Sequence, residues 1–349
     1  VIRNLVMQLT YNYGVTQIIG FQYGYQGFIP TYAHPTIPLT PERVKGIHYM
    51  GGSMLSSSRG DQDVEEIVDC LVRQNVNILF CIGGDGTLRG AHHIHEVIVR
   101  RKLKISIIGL PKTIDNDIMY CAKSFGFETA FSEAVDSIRA AHVEAYGAPN
   151  GIVLVKLMGR DSGFIAANSV LACPDVNFVL VPEVRFELEG ENGLFPTVER
   201  YLLSKRDKAA HPHAVIVVAE GAGQYFFKDD RGTDASGNMK YADIGIFLRD
   251  KMKDYFKPRM EINLKYIEPS YLIRSVPANA HDAIFCHHLA ENAAHAAMAG
   301  KTDMMVGFWN GNFTHVPLTA VIQGRKKIDP DSEFWRQVLQ TTGQPANMV

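Results

Sequence analysis

Apolar positions along this chain come in two rhythms: short unbroken runs, and longer stretches in which they recur every three or four residues. The run Ile78 to Ile82 breaks into Gly83, Gly84, Asp85, Gly86 and Thr87, and helical spacing then continues to about Arg101. That succession reads as strand, tight turn and helix. A second buried strand is expected from Lys104 to Leu110, stopped by Pro111 and followed by Lys112, Thr113, Asp115 and Asp117. Ahead of these, the pattern predicts a helix over Val1 to Gly14 and a short strand over Gln17 to Gly20. An amphipathic helix is expected over Asp61 to Gln74, with Val64, Ile67, Val68, Leu71 and Val72 on one face. A long helix, Phe125 to Gly147, then leads into a repeat of the alternation. Its strands are Gly151 to Leu157, Phe178 to Pro182, Ala214 to Val218 and Leu264 to Ile267, and its helices Asp161 to Ala172, Leu194 to Ser204 and Tyr241 to Phe256. Polar, glycine-containing stretches at Glu187 to Gly193 and Lys228 to Asn238 read as surface insertions. A helix from about Ala278, strands over Met304 to Trp309 and His315 to Val321, and a helix near Ser332 to Leu339 follow.

Strands alternating with helices predict an α/β fold: two Rossmann-like, three-layer αβα domains with mainly parallel sheets and the active site in the cleft between them. A length of 349 residues suits two cores of about 150 residues better than one. With 21% charged residues and a formal net charge of -2, the chain offers no overall basic field to nucleic acid or an acidic membrane. No apolar run approaches the roughly 20 residues of a membrane span, and the first residues show no signal-peptide pattern. Five cysteines without a C-x-x-C pair, most of them inside apolar patterns, read as reduced, buried thiols in a cytoplasmic setting.

The two acidic turns carry the candidate chemistry. Glycines let the backbone approach a phosphate, and the following helix N-terminus offers N-H groups and a positive dipole end to the same anion. A carboxylate in such a turn fits if Asp85 holds Mg2+, a hard cation that shares oxygen ligands with substrate phosphates. In an open parallel sheet, loops at the carboxyl ends of neighbouring strands face one crevice, so Asp85 should meet Asp115 and Asp117. Phosphoryl transfer needs these parts: a cation and main-chain donors for the phosphates, and a base beside the acceptor hydroxyl. The aromatic stretch Phe21 to Phe28 reads either as a stacking wall for an adenine ring or as a packed turn. The turn Ser56 to Gly60 holds one guanidinium, Arg59, of the kind that suits a phosphate. His92 and His95 share a helix face, yet nothing nearby completes a metal-ligand pattern.

G-G-D-G-T alone is similar to the nucleotide loops of NAD kinases and lipid kinases. Added to it are P-K-T-I-D-N-D from Pro111 to Asp117, Met158-Gly159-Arg160, Ala219-Glu220-Gly221 and Pro269-Ser270-Tyr271-Leu272-Ile273-Arg274. With these the chain resembles the phosphofructokinases over most of its length, and especially the plant and protist ATP-dependent group that combines G-G-D-G with P-K-T. The resemblance implies a nucleotide-binding domain from residues 1–125 plus about 278–300, a fructose 6-phosphate-binding domain from 126–277, and a segment 301–349 packed on the domains. In that family a strand and a G-G-x-x-P-G-L-N loop precede the point where this sequence starts, so those γ-phosphate contacts fall outside it.

The roles that the resemblance implies are specific. Tyr25, Arg59, Gly60, Gly84, Asp85, Gly86 and Thr87 surround ATP, with Asp85 as the Mg2+ ligand. Asp115 takes the proton from the C1 hydroxyl of fructose 6-phosphate, Asp117 assists, Thr113 donates to the moving phosphoryl group and Lys112 adds positive charge. Arg160 and Arg274 grip the sugar phosphate, Met158, Gly159 and Tyr271 shape its pocket, and Glu220 accepts from sugar hydroxyls. Bacterial relatives place an arginine where this chain has Gly151, which leaves Lys265 as a substitute cation. Gly86 leaves open the volume that pyrophosphate-using relatives fill with aspartate, which favours ATP, whereas Lys112 is shared with the pyrophosphate enzymes. The expected activity is therefore that of an ATP-dependent 6-phosphofructokinase, with a pyrophosphate-dependent enzyme and a non-catalytic nucleotide-binding regulatory subunit as alternatives. A cytoplasmic homo-oligomer, a tetramer by resemblance, with no nucleic-acid or membrane partner, completes the expectation.

Overall fold

The computed structural model describes residues 1–207, 211–227, 232–233 and 239–349; the insertion expected over 228–238 otherwise lies outside them. In chain order the principal elements are α1 (Ile2–Tyr13), α2 (Val64–Arg73), β1 (Ile78–Gly83), α3 (Asp85–Arg100), β2 (Ser106–Pro111) and α4 (Phe127–Tyr146). Next come β3 (Gly151–Leu157), α5 (Phe164–Ala172), β4 (Phe178–Leu180), α6 (Leu194–Asp207), β5 (His213–Ala219), α7 (Ile244–Phe256) and β6 (Asn263–Ile267). The last are α8 (Ala280–Met298), β7 (Met304–Trp309), β8 (Asn312–Pro317) and α9 (Glu333–Thr342).

Helix starts follow local capping. The Asp63 carboxylate accepts from the amides of Glu65 and Glu66 at 2.8 and 3.2 Å and opens α2, satisfying donors that a first helical turn leaves unpaired. Asp243 does the same for α7 through Ile246. That helix therefore begins later than the expected Tyr241, whose hydroxyl donates instead to Asp161. Gly14, in the left-handed conformation at φ 65°, ends α1.

Two compact units result. Val1–Thr129 and Arg274–Lys326 belong to the first; Ala130–Gly232, Met239–Ile273 and Lys327–Val349 belong to the second. The stretch 301–349 is thus divided: β7 and β8 enter the first unit, and α9 the second.

The first unit is built on a sheet ordered β8-β7-β2-β1, with β1, β2 and β7 parallel. On one face Ile67, Val68 and Leu71 of α2 and Leu88, Ile94 and Ile98 of α3 cluster with Leu79, Cys81 and Ile107. On the other, Leu5 and Leu9 of α1 and Phe285 and Leu289 of α8 cluster with Ile108, Leu110 and Val306. Helices on both faces make the three layers. The strand expected over His315 to Val321 is Asn312–Pro317, antiparallel to β7. Asn310 and Gly311, at φ 46° and 79°, form the two-residue turn between them, the conformation that Asn-Gly supplies in tight hairpins. Pro317 has no N-H to extend the ladder, and Leu318–Val321 turns into a single helical turn.

The second unit holds an all-parallel sheet ordered β4-β5-β3-β6. Ile152, Leu154, Ile216 and Val218 cluster with Leu194, Val198 and Leu202 of α6 and Ile244, Leu248 and Met252 of α7. Val153, Val155, Val215 and Val217, which alternate with them, are equally buried on the opposite face.

All five cysteines are free and buried. Burial pushes the Cys81 thiol up to about 12 and the Cys286 thiol to about 11. Because the thiolate is the reactive form, a disulfide-exchange reagent at pH 8 should label the folded protein at least about 100-fold more slowly than the unfolded chain. Prompt labelling of the native protein would contradict this burial.

Candidate active site

The strand register brings the two acidic turns together. β1 and β2 pair from Ile78 with Ser106 through Gly83 with Pro111, so their carboxyl ends stop level. The Lys112 amide donates to the Gly83 carbonyl at 2.8 Å, and a Cβ on Gly84 would lie 3.6 Å from the Lys112 carbonyl and 3.9 Å from the Thr113 Cβ. Asp85 starts α3, whose first turn carries no side-chain cap, so its leading amides point toward the crossing of the two loops.

Side-chain bonds within the chain hold the loop after β2 in shape. Asn116 sits at φ 53°, a conformation asparagine tolerates better than most residues. Its side chain donates to the Ala122 carbonyl at 3.1 Å and accepts from the Ser124 amide at 2.9 Å. The Ser124 hydroxyl donates to the Thr113 carbonyl at 2.9 Å. Within this frame the Asp115 amide donates to Thr113 Oγ1 at 3.1 Å. Asp117 is buried, whereas Asp115 is only partly so. The two carboxylates thus differ in access. Loss of hydration, together with the nearby Arg274 guanidinium, pushes the Lys112 ammonium below the usual lysine range, and Asp115 pulls it back. Arg274, expected at the sugar phosphate, therefore stands close to the loop that holds Asp115.

Arg325 was not singled out in the sequence, and it lies within ion-pair distance of both acidic turns: 3.5 Å from the Asp85 carboxylate and 3.9 Å from that of Asp117. Arg89, one helical turn on, is 3.4 Å from Asp85. Asp85 and Asp117 present carboxylate oxygens, the donors a hard divalent cation takes, so the residues fit Mg2+.

Tyr25 acts on the same turn from behind. Its hydroxyl donates to the Thr87 carbonyl at 2.6 Å, and a Cβ on Gly90 would stand 2.6 Å from its ring. Burial pushes the Tyr25 hydroxyl well above its ordinary range. Within the aromatic stretch Phe21 stacks on Phe28 at 3.9 Å, and Tyr25 buttresses the start of α3. The Ser58 hydroxyl donates to the Tyr23 carbonyl at 2.6 Å, which brings the Arg59-Gly60 turn against that stretch. Gly60 is at φ 96°, where a side chain would be strained. His92 bonds Asp303 at 2.9 Å.

A second group forms at the carboxyl ends of β3 and β5, which pair through Leu157 and Ala219. Met158, Gly159 and Arg160 leave one strand, and Glu220 leaves the other. The Glu220 carboxylate accepts from the Arg160 amide at 3.0 Å, so it shapes this loop. Tyr271 is 63% exposed and lies outside the core. Lys265 pairs with Glu144, and a Cβ on Gly151 would collide with the Ala145 carbonyl. Glu268 bonds Tyr266 at 2.8 Å and Lys156 at 3.0 Å.

A family model described as phosphofructokinase matches residues 1–297. The chain belongs to the phosphofructokinase family. It is 51% identical to an ATP-dependent 6-phosphofructokinase of Borreliella burgdorferi, over 100% of this chain and 78% of that one. It is 47% identical to ATP-dependent 6-phosphofructokinase 7 of Arabidopsis thaliana, over 99% of this chain and 70% of that one. Among solved structures, a pyrophosphate-dependent phosphofructokinase from Marinobacter aquaeolei superposes with a TM-score of 0.77 at 20% identity, covering 98% of this chain and 88% of that one. At that identity the likeness carries the phosphofructokinase fold and not the choice of phosphoryl donor.

Proposed function

We propose that this phosphofructokinase transfers the γ-phosphoryl group of ATP to the C1 hydroxyl of fructose 6-phosphate, yielding fructose 1,6-bisphosphate and ADP. The observation that carries the reading is the level ending of β1 and β2, which sets Asp85 beside the loop of Asp115 and Asp117. Relatives named ATP-dependent, matched over nearly all of this chain, support the donor.

Asp115, the more accessible carboxylate, takes the hydroxyl proton as the new O-P bond forms; an alcohol is a poor nucleophile until a positioned base receives that proton. Asp117, buried beside Thr113 and Arg325, holds the loop's charge in place. The leading amides of α3 donate to the phosphates of the donor, and the helix dipole favours their charge. Lys112 and Thr113 face the group in transit, where fixed positive charge and a hydroxyl donor act without reorganising. Asp85, with Asp117 across from it, would hold Mg2+, which neutralises phosphate charge when bound. Arg160, Arg274, Met158, Gly159, Tyr271 and Glu220 bind the sugar phosphate, and Arg59 and Gly60 lie toward the nucleotide. The same reading carries a cytoplasmic homotetramer.

Position 86 tests the donor. A Cβ on Gly86 meets nothing within 4 Å, so Gly86→Asp should fold normally while placing a carboxylate at the phosphate end of α3. The KM for ATP should rise at least about tenfold from like-charge repulsion, with a smaller change for pyrophosphate, in steady-state assays coupled to fructose 1,6-bisphosphate. Equal changes with both donors would mean that position 86 does not choose between them, and a wild-type enzyme that turns over only pyrophosphate would reject the ATP reading.

A further inference from the structure

We propose that Arg325 is a positioning residue that bridges Asp85 and Asp117, offsets part of their charge and sets how tightly the site takes a divalent cation. The inference rests on the reading of Asp85 as the metal-holding carboxylate.

The guanidinium reaches the Asp85 carboxylate through Nη2 at 3.5 Å and the Asp117 carboxylate through Nε at 3.9 Å. Its main chain is fastened to the same loop. Arg325 forms an antiparallel bridge with Ile118, and the Lys326 amide donates to the Asp117 carbonyl at 2.7 Å. The Lys326 ammonium adds bonds to the carbonyls of Cys121 and Ala122 at 2.6 and 3.2 Å. Fastened at Asp117, Ile118, Cys121 and Ala122, the segment fixes where the Arg325 stem begins, and the planar fork then has two carboxylates to face.

Both carboxylates are largely withdrawn from water, with side chains 14% and 10% exposed. Two like charges so placed repel one another unless a cation stands between them. Arg89 also approaches Asp85, but its side chain is 50% exposed, so solvent screens its pull more strongly. At 3.5 and 3.9 Å the Arg325 contacts are longer than the 2.7–2.9 Å typical of tight charge-assisted bonds. The guanidinium therefore offsets part of the pair's charge without locking it, and an arriving metal ion can draw the carboxylate oxygens toward itself.

The arrangement has opposite consequences for two ligands. A bare divalent cation competes with the guanidinium for the same carboxylates. A metal–nucleotide complex, with its net negative charge, is attracted by it. A residue with a merely structural part would shift both affinities in one direction.

The test uses the intact protein, with free Mn2+ titrated by electron paramagnetic resonance and MgATP by calorimetry. Arg325→Gln should bind Mn2+ about tenfold more tightly and MgATP about tenfold more weakly than wild type. Arg325→Lys, which keeps the charge, should stay within about threefold of wild type for both. Affinities that both weaken or both stay unchanged in Arg325→Gln, with a wild type that binds both ligands, would overturn the inference. A wild type that binds neither Mn2+ nor MgATP would overturn the functional reading itself, and this inference with it.

Discussion

Replacing Asp115 by asparagine should lower kcat by about 10³-fold, the middle of the range that a general base contributes. The amide keeps the size of the carboxylate, and the bond from the residue's own N-H to Thr113 Oγ1 is untouched, so the loop should hold its shape. What is lost is the capacity to accept a proton from the attacking hydroxyl. ATP affinity should change little, because the first turn of α3 and Asp85 lie outside the substitution. A coupled assay for fructose 1,6-bisphosphate and a calorimetric ATP titration check the two halves separately. Full turnover in Asp115→Asn would remove this residue from the role of base, and the partly exposed position that distinguishes it from buried Asp117 would need another explanation.

The second large effect is expected at a glycine. A Cβ on Gly221 would collide with the Arg160 carbonyl oxygen, in a loop already held at φ 140° for Gly159 and φ 32° for Arg160. The Glu220 carboxylate accepts the Arg160 amide at 3.0 Å, so the loop has little room to move aside without breaking that bond. Gly221→Ala should therefore displace Arg160, and a misplacement of about 1 Å costs on the order of 100-fold. The KM for fructose 6-phosphate should carry that loss, with ATP affinity near the wild-type value because Gly221 and the α3 turn belong to different units. Steady-state kinetics with each substrate varied in turn reads the split. An unchanged KM for the sugar phosphate would mean that the Arg160 loop does not grip it.

Much of this site was legible because its logic is local. Buried runs ending in Gly83 and Pro111 imply parallel strands, and parallel strands that stop level bring their following turns together. Arg325 was not legible, because it reaches Asp85 from 240 positions along the chain, and no spacing rule links such residues. Asn116 lay in plain view inside the motif, but its left-handed conformation and its bonds to Ala122 and Ser124 depend on how the loop closes. The hairpin at Asn310-Gly311 had its signal in the dipeptide itself; the apolar pattern from His315 onward drew the strand too late. For Tyr25, the contact with Gly90 that ties its ring to α3 is a matter of packing that the aromatic pattern does not show.

Phosphorus nuclear magnetic resonance on the wild-type protein, supplied with ATP, Mg2+ and fructose 6-phosphate, tests the central claim most directly, because it follows where the phosphoryl group goes. The account predicts that the ATP resonances decline as those of ADP and of a second phosphomonoester on the sugar, at C1, grow in equal measure. ATP that stays intact, or that yields ADP and inorganic phosphate without sugar bisphosphate, would contradict it.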